Sequence, residues 1–316
     1  MKELFFNDFV YAGISSSCAT IFTNPLEVVK IRMQLQGELG LSNQTHYRNI
    51  PQALVQIAKN DGITGLQKGL TPSLYFQFFL NAFRLGIYTT AHEHGLTRNK
   101  ETGHVSIMKS AFWGATGGFI GAALSNPFFM LKTHLQSQAK KEIAVGYQHQ
   151  HTGMFSALKT IYTQHGVKGL YRSVNVNLPR ALLGSGGQLA AFGYTKDFLQ
   201  RNHSKILPPS IISIISGATA GTVMAITMTP PDVLATRLYN QGVTECGKGI
   251  YYKGVVDCFV KIVKSEGIMA LYKGFWAHYI RIGPHSTLVL VFFDQIKALD
   301  LKYKEIKLAK TLAETH

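Results

Sequence analysis

The sequence predicts an all-α integral membrane protein with six tilted transmembrane helices in three repeats. Long apolar stretches, a motif that occurs three times and amphipathic segments between the stretches support this fold. Of the 316 residues, 46% are hydrophobic and only 16% are charged. In soluble domains about a quarter of the residues are charged. The composition therefore favours a membrane protein.

Six apolar stretches have the length of about 20 residues that an α-helix needs to cross a bilayer. Small residues four positions apart recur in the odd-numbered stretches, as at Gly117 and Gly121, and allow helices to approach closely in lipid. The predicted spans are 9–36, 70–95, 108–138, 174–199, 210–241 and 275–298.

A proline motif divides the chain into three repeats. Pro25, Pro127 and Pro230 lie 102 and 103 residues apart, and the strings PLEVVKIRMQ, PFFMLKTHLQ and PPDVLATRLY begin at them. A second signal follows in each repeat, as DGITGLQKG, HGVKGLYRS and EGIMALYKG. Constant spacing of two signals indicates a triplicated module. The predicted units are residues 1–100, 101–205 and 206–316.

A shorter helical pattern lies between the two spans of each repeat. Apolar residues recur at intervals of three and four over 50–58, 155–162 and 256–263, which is typical of one buried helix face. These segments predict three amphipathic helices at the membrane surface.

The two repeated signals together resemble the signature of the mitochondrial carrier family over nearly the whole chain. The resemblance implies a pseudo-threefold bundle with three short helices on the matrix side. It also implies a monomeric multi-pass protein of the mitochondrial inner membrane, with both termini facing the intermembrane space. The strings NPLEVVKIRMQLQGEL, RLYNQ and GSGGQ are most similar to the branch that contains oxaloacetate/sulfate carriers and related animal carriers.

The charges after each proline predict a gate at the matrix side. Proline kinks a helix, and an acid and a base three residues apart lie close to one face. Around a threefold axis the acid of one helix then meets the base of the next. By analogy with the family, the acid and base of the third pair are replaced by Phe129 and Ala235. The predicted matrix-gate residues are Glu27, Lys30, Lys132 and Asp232, with Gln34 and Gln136 bracing the ion pairs, which are Glu27–Lys132 and Asp232–Lys30.

The even-numbered helices carry an incomplete cytoplasmic gate motif. Its predicted residues are Tyr88, Lys196, Asp294 and Lys297, and among them we expect a salt bridge only between Lys196 and Asp294. With one pair against two, we expect the matrix gate to be the stronger one at rest.

The residues that open the even-numbered helices predict a lipid site. Helix N-termini bind phosphate groups, and the family resemblance implies cardiolipin as a structural lipid. The corresponding residues here are Lys68, Gly69, Arg172, Ser173, Lys273 and Gly274.

Isolated charges within predicted spans indicate a substrate site. Arg180 and Arg281 occupy equivalent positions, seven residues after the residue that opens each even-numbered helix, and Phe76 occupies the third. Two guanidinium groups at one depth form a fork for a compact dianion. The predicted substrate-binding residues are Phe76, Gln77, Arg84, Arg180, Ala181 and Arg281.

Transport of a small anion is therefore the leading function, with oxaloacetate, malate, malonate and sulfate as candidates. Exchange, uniport and proton symport stay open. The alternatives are an uncoupling-type proton or anion carrier and a non-transporting receptor or scaffold.

No motif of an enzyme occurs, and the basic residues are not grouped as nucleic-acid binding requires. The 12 histidines lack HExxH spacing, and the three cysteines lack CxxC spacing, so we expect no metal and no cofactor.

Overall fold

The computed structural model describes residues 2–40, 46–97, 106–172, 174–203, 208–244 and 247–314. Within these residues the chain forms nine α-helices and no β-strand, which confirms the all-α prediction. In chain order the helices are α1 (Lys2–Leu35), α2 (Ile50–Asp61), α3 (Leu70–Glu93), α4 (Ile107–Ser137), α5 (Met154–Leu170), α6 (Val174–His203), α7 (Pro209–Asn240), α8 (Val255–Glu266) and α9 (Phe275–Glu314).

The six long helices are those predicted as spans. Four agree with the predicted boundaries within a few residues, whereas α1 begins earlier and α9 ends later. Among the described residues, no helix combines the length and the apolar character needed to cross a membrane.

The long helices surround a central cavity. Helix α1 contacts α3, α3 contacts α4, α4 contacts α6, α6 contacts α7, α7 contacts α9, and α9 returns to α1. Helices α1, α4 and α7 continue through Pro25, Pro127 and Pro230 respectively. Their C-terminal ends also contact one another, which brings the three proline motifs together.

The three short helices are present where the apolar periodicity predicts them. Helix α2 buries Ala53 and Ile57 and exposes Val55. The Asn49 side chain caps this helix by accepting a hydrogen bond from the Gln52 backbone amide, which satisfies one of its free donors. Helix α5 is longer than predicted and changes direction at Gly166.

Two glycines fix the starts of α3 and α9 against neighbouring helices. Gly69 and Gly274 have φ of 66° and 76°, a region that side chains other than glycine disfavour. A Cβ atom on Gly69 would lie 2.7 Å from Gln136 Cγ and 3.2 Å from the Lys132 carbonyl oxygen. A Cβ on Gly274 would lie 3.2 Å from the Lys30 carbonyl oxygen. Helices α3 and α9 therefore begin in direct contact with the turns of α4 and α1 that carry the gate lysines.

Candidate functional site

Two buried ion pairs join the C-terminal parts of α1, α4 and α7. Lys132 Nζ lies 2.8 Å from Glu27 Oε1, and Lys30 Nζ lies 2.6 Å from Asp232 Oδ2. These are the pairs that the threefold arrangement predicts. All four side chains are 6% exposed or less. Because losing one partner would leave a buried charge, each pair strongly favours this arrangement of the helices.

An aromatic cluster occupies the place of the missing third pair. The Phe129 ring packs edge-on against Tyr239, with ring centroids 5.0 Å apart. Lys132 Nζ lies 5.1 Å and the Arg180 guanidinium 4.8 Å from the centre of the Phe129 ring. Such cation–π contacts stabilise partly desolvated cations. Ala235 is fully buried, so the third interface is packed rather than empty.

The two glutamines have different partners. Gln34 Nε2 donates to Asp232 Oδ2 at 3.4 Å, beside the Lys30–Asp232 pair. Gln136 Nε2 donates to Asn24 Oδ1 at 2.9 Å and to Ser73 Oγ at 3.2 Å. Gln34 therefore contacts an ion pair as expected. Gln136 instead links α4 to α1 and α3, because its amide bonds polar side chains of those helices.

Arg180 and Arg281 line one cavity of about 320 Å³. Arg180 Nη1 donates to Asp232 Oδ1 at 3.1 Å, and its Nε and Nη2 donate to Asn177 Oδ1. Arg281 Nη1 lies 3.7 Å from Glu27 Oε1. Arg281 Nε is buried and has no hydrogen-bond partner in the described part of the chain. The Arg180 guanidinium is thus fully hydrogen-bonded on one side, whereas the Nε of Arg281 lacks an acceptor among the described residues.

The predicted substrate and gate residues form one network. Asp232 contacts Lys30, Arg180 and also His278, whose Nδ1 is 3.6 Å from Asp232 Oδ2. The sequence placed substrate and gate residues at separate levels and did not predict these contacts. For Asn177 a signal existed, since it precedes Arg180 by three residues and so lies on the same helix face.

The remaining predicted substrate residues have a mixed outcome. Phe76, Gln77 and Arg84 line the same cavity as the two other arginines. Lys132 Nζ lies 4.7 Å from the Phe76 ring centre, and Gln77 Nε2 lies 3.2 Å from His285 Nε2. The Ala181 side chain is outside the described residues. His285 also lines the cavity.

The predicted cytoplasmic gate is described only in part. Lys196 Nζ lies over the Phe192 ring at 5.6 Å, and Lys297 Nζ lies over Phe293 at 5.5 Å. The Tyr88 ring stacks on His92, with centroids 6.1 Å apart. The Asp294 side chain lies outside the described residues, so its pair with Lys196 stays a prediction.

The basic residues of the predicted lipid site bond backbone carbonyls just beyond the C-terminal ends of α1, α4 and α7. They occupy equivalent places in the three repeats, although Ser173 is outside the described residues. The contacts are Lys68 Nζ to the Gln138 carbonyl at 3.1 Å, Arg172 Nη2 to the Gln241 carbonyl at 3.3 Å, and Lys273 Nζ to the Gln36 carbonyl at 2.8 Å. These side chains are thus partly engaged by the protein, which leaves only their remaining N–H groups for a phosphate.

Two further ion pairs explain the acids of the second repeated signal. Arg32 Nη2 lies 2.7 Å from Asp61 Oδ2, and Arg237 Nη2 donates to Glu266 Oε2 at 2.8 Å. Burial alone would raise the pKa of Asp61, but its hydrogen bond to the Arg32 guanidinium holds the pKa below its usual value. In the sequence these acids are recognisable only as part of a repeated pattern.

Comparison with known proteins agrees with the repeated architecture. The family model described as mitochondrial carrier protein matches residues 2–99, 103–203 and 208–304. Solute carrier family 25 member 35 of Homo sapiens is 46% identical over 296 residues, which cover 92% of this chain and 98% of that protein.

Two fungal relatives carry names that state a substrate. The mitochondrial oxaloacetate transport protein of Saccharomyces cerevisiae is 40% identical over 298 residues, or 93% of this chain and 90% of the relative. Mitochondrial citrate transporter E of Aspergillus niger is 35% identical over 309 residues, or 97% of each. The chain belongs to the mitochondrial carrier family, whose members are transporters and not enzymes.

Proposed function

We propose that this carrier exchanges small dianions across the mitochondrial inner membrane, with oxaloacetate, malate, malonate or sulfate as substrate. The observation that carries the proposal is the paired placement of Arg180 and Arg281 in one cavity. Two guanidinium groups match two carboxylates, or the several oxygens of one sulfate.

The unpartnered nitrogen of Arg281 favours an anionic ligand at this place. Its Nε is buried without an acceptor in the described residues, and a buried donor without an acceptor costs about 1–3 kcal/mol. A substrate oxygen would satisfy it. The relative named for oxaloacetate transport supports a dicarboxylate of this size.

The position in α3 that is equivalent to Arg180 and Arg281 supports a dianion over a more highly charged substrate. It holds Phe76, whose ring packs 5.1 Å from that of Phe129. An aromatic pair gives no hydrogen bond to a third carboxylate. The relative named for citrate transport makes citrate the main competitor, with Arg84 as the residue available for its extra charge.

Substrate binding and gate opening share the same carboxylates, which supports alternating access as the mechanism. Arg180 contacts Asp232, and Arg281 contacts Glu27. A dianion would compete with both acids for the guanidinium groups. Each acid would then lose its arginine contact, and the negative charges of the substrate would also attract Lys30 and Lys132. The gate network would thus be weakened only when substrate is present. Such differential binding is what shifts a conformational equilibrium.

The membrane arrangement is part of the same proposal. We place the six long helices across the membrane, with both termini facing the intermembrane space and with cardiolipin at the starts of α3, α6 and α9. We also propose that the carrier acts as a monomer.

Uptake into liposomes tests the substrate. The purified protein is reconstituted with cardiolipin, and uptake of labelled malonate, oxaloacetate, malate, sulfate and citrate is measured with and without internal substrate. Arg180→Ala and Arg281→Ala should each reduce uptake roughly 10- to 100-fold, because a charge-assisted hydrogen bond contributes about 1.5–3 kcal/mol. The control is Arg48→Ala, which removes an exposed arginine outside the cavity.

Full uptake by Arg180→Ala and Arg281→Ala would show that neither arginine binds the substrate. Uptake that needs no internal substrate would replace exchange by uniport. Proton conductance that fatty acids activate and purine nucleotides inhibit, without anion exchange, would instead identify an uncoupling-type carrier.

A further inference from the structure

Three histidine rings stack beside the last turn of α4. The ring centroids of His134 and His149 are 3.6 Å apart, and the ring of His151 lies 5.5 Å from His134 and 5.6 Å from His149. His134 is 3% exposed. One ring nitrogen of each residue lies within 4.8 Å of the other two. We call these residues the histidine cluster.

The threefold repeat shows why His134 is unusual. It lies seven residues after its motif proline, where the other repeats have Arg32 and Arg237. All three side chains donate to a backbone carbonyl at the same position of the next helix among α1, α4 and α7, nine residues after its motif proline. These bonds are Arg32 Nε to Gln136 at 3.2 Å, His134 Nε2 to Tyr239 at 2.7 Å, and Arg237 Nε to Gln34 at 3.2 Å.

In the middle repeat, His134 lacks the carboxylate partner that the equivalent arginines have. Arg32 and Arg237 also pair with Asp61 and Glu266, which lie at the end of the following surface helix. The equivalent residue in the middle repeat is His165, which offers no carboxylate. His134 Nδ1 is buried and has no hydrogen-bond partner within the described ranges.

Hydrogen bonds define which ring nitrogens carry a lone pair. The Nε2 atoms of His134 and His149 lie 2.7 and 2.8 Å from the carbonyl oxygens of Tyr239 and Asn240. Carbonyls only accept, so both Nε2 atoms carry the proton and both Nδ1 atoms carry a lone pair. His151 Nε2 is buried without a partner in the described part of the chain. A metal-bound histidine has this same arrangement, with its second nitrogen donating to a carbonyl.

We propose that the histidine cluster binds a divalent transition-metal ion of the zinc class. Imidazole nitrogens suit Zn²⁺, Cu²⁺ and Ni²⁺, whereas Ca²⁺ and Mg²⁺ require oxygen ligands. Three histidines with a fourth position open to water are a known zinc arrangement. The site is separate from the substrate cavity and goes beyond the proposed transport function.

Binding requires the rings to turn out of their stack and move closer together, because the lone pairs lie in the ring planes and these planes are within 12° of parallel. Tetrahedral coordination at 2.0–2.1 Å places ligand nitrogens about 3.4 Å apart, compared with the limit of 4.8 Å here. His149 and His151 lie in the connection between Ile143 and Met154, outside any helix, so their rings can move. Gln138 Nε2 donates to the backbone carbonyls of both residues and holds this connection beside α4.

The positive charge of Arg172 limits the affinity of the histidine cluster for a metal ion. Arg172 lines the cavity that His134 and His165 border, and its guanidinium opposes a cation. Neutral imidazoles add no compensating negative charge. We therefore expect a single ion to bind more weakly than at zinc sites that contain thiolates or carboxylates.

Isothermal titration of the purified carrier with ZnCl₂ is the test. The protein is used in detergent with cardiolipin after its affinity tag has been removed. We expect one ion per chain, reversal by EDTA, a rise in the apparent melting temperature and a visible absorption band when Co²⁺ replaces Zn²⁺. Ca²⁺ and Mg²⁺ should give none of these signals. Absence of Zn²⁺ binding to the unmodified carrier would overturn the proposal.

Variants locate the ion. His149→Gln and His151→Gln should each weaken Zn²⁺ binding at least tenfold. Removing only a hydrogen-bond partner of a metal ligand already costs about 10- to 100-fold in affinity, and these variants remove a ligand itself. His134→Arg introduces the residue of the other two repeats, so it should keep the bond to Tyr239 while it abolishes binding. The matched control is His165→Gln, which removes a nearby histidine outside the cluster. Equal affinity in the cluster variants, or loss confined to His165→Gln, would refute the assignment.

Discussion

Substituting the two partners of one gate pair should have unequal effects on stability. Glu27 lies 2.8 Å from Lys132 Nζ and 3.7 Å from Arg281 Nη1. Glu27→Gln would leave two cations without a carboxylate in a site where all three side chains are at most 14% exposed. Lys132→Gln would leave Glu27 with Arg281 still close. We therefore expect Glu27→Gln to be the more destabilising change.

The size of the effect follows from burial. Removing one partner of a buried ion pair costs about 3–5 kcal/mol. Unfolding entropy is about 2.1 cal/mol/K per residue, so a chain of 316 residues shifts its Tm by about 1.5 °C per kcal/mol. Glu27→Gln should therefore lower the apparent Tm by roughly 5–8 °C. Lys132→Gln should lower it by about half as much, because the retained Arg281 offsets part of the charge. The double variant should be less destabilised than the sum of the single changes.

A thermal-unfolding assay of the four proteins in one detergent and cardiolipin mixture measures this cycle. The same cycle on Lys30 and Asp232 is the matched comparison, since Asp232 also contacts Arg180. Equal effects of the two single changes, or a coupling free energy below about 0.5 kcal/mol, would show that these ions do not interact as a closed network.

Two other predictions concern positions outside the cavity. Burial raises the pKa of Glu38 to about 7, so the folded state holds this proton more tightly than the unfolded state, and the free energy of unfolding should fall as the pH rises from about 4.5 to 7. Glu38→Gln should flatten that dependence, by on the order of 3 kcal/mol for the full shift, and an unchanged profile of Tm against pH would contradict this. Gly69→Ala should cost about 1–3 kcal/mol, because it combines a positive φ with a Cβ 2.7 Å from Gln136 Cγ. Gly267→Ala is its control, since it shares the positive φ but meets nothing within 4 Å, and equal destabilisation would exclude the steric part.

Much of the fold and part of the site were predictable from local patterns. Apolar length and period placed the long and short helices within a few residues, except at the start of α1 and at the ends of α5 and α9. Threefold spacing predicted that Glu27 meets Lys132 and that Lys30 meets Asp232. These pairings were accessible because each repeat applies the same rotation, so a position in one helix predicts its neighbour in the next.

Departures from the repeat were harder to predict. Phe129 and Ala235 were recognised as a missing ion pair, but not as a packed aromatic contact with Tyr239. The expectation that Gln136 braces an ion pair was not met, since its amide bonds Asn24 and Ser73. A substituted side chain takes whichever partners its new shape and polarity allow, and spacing carries no information on these.

The sequence by itself determined the three repeats, the helix positions and the charges that pair across them. Only the tertiary structure decided that Arg180 and Arg281 contact the gate carboxylates. The structure alone also brought His134 together with His149 and His151. Periodicity along a helix specifies which face a residue occupies. It does not specify how far a long side chain reaches across a cavity, or where a connection outside the helices folds back.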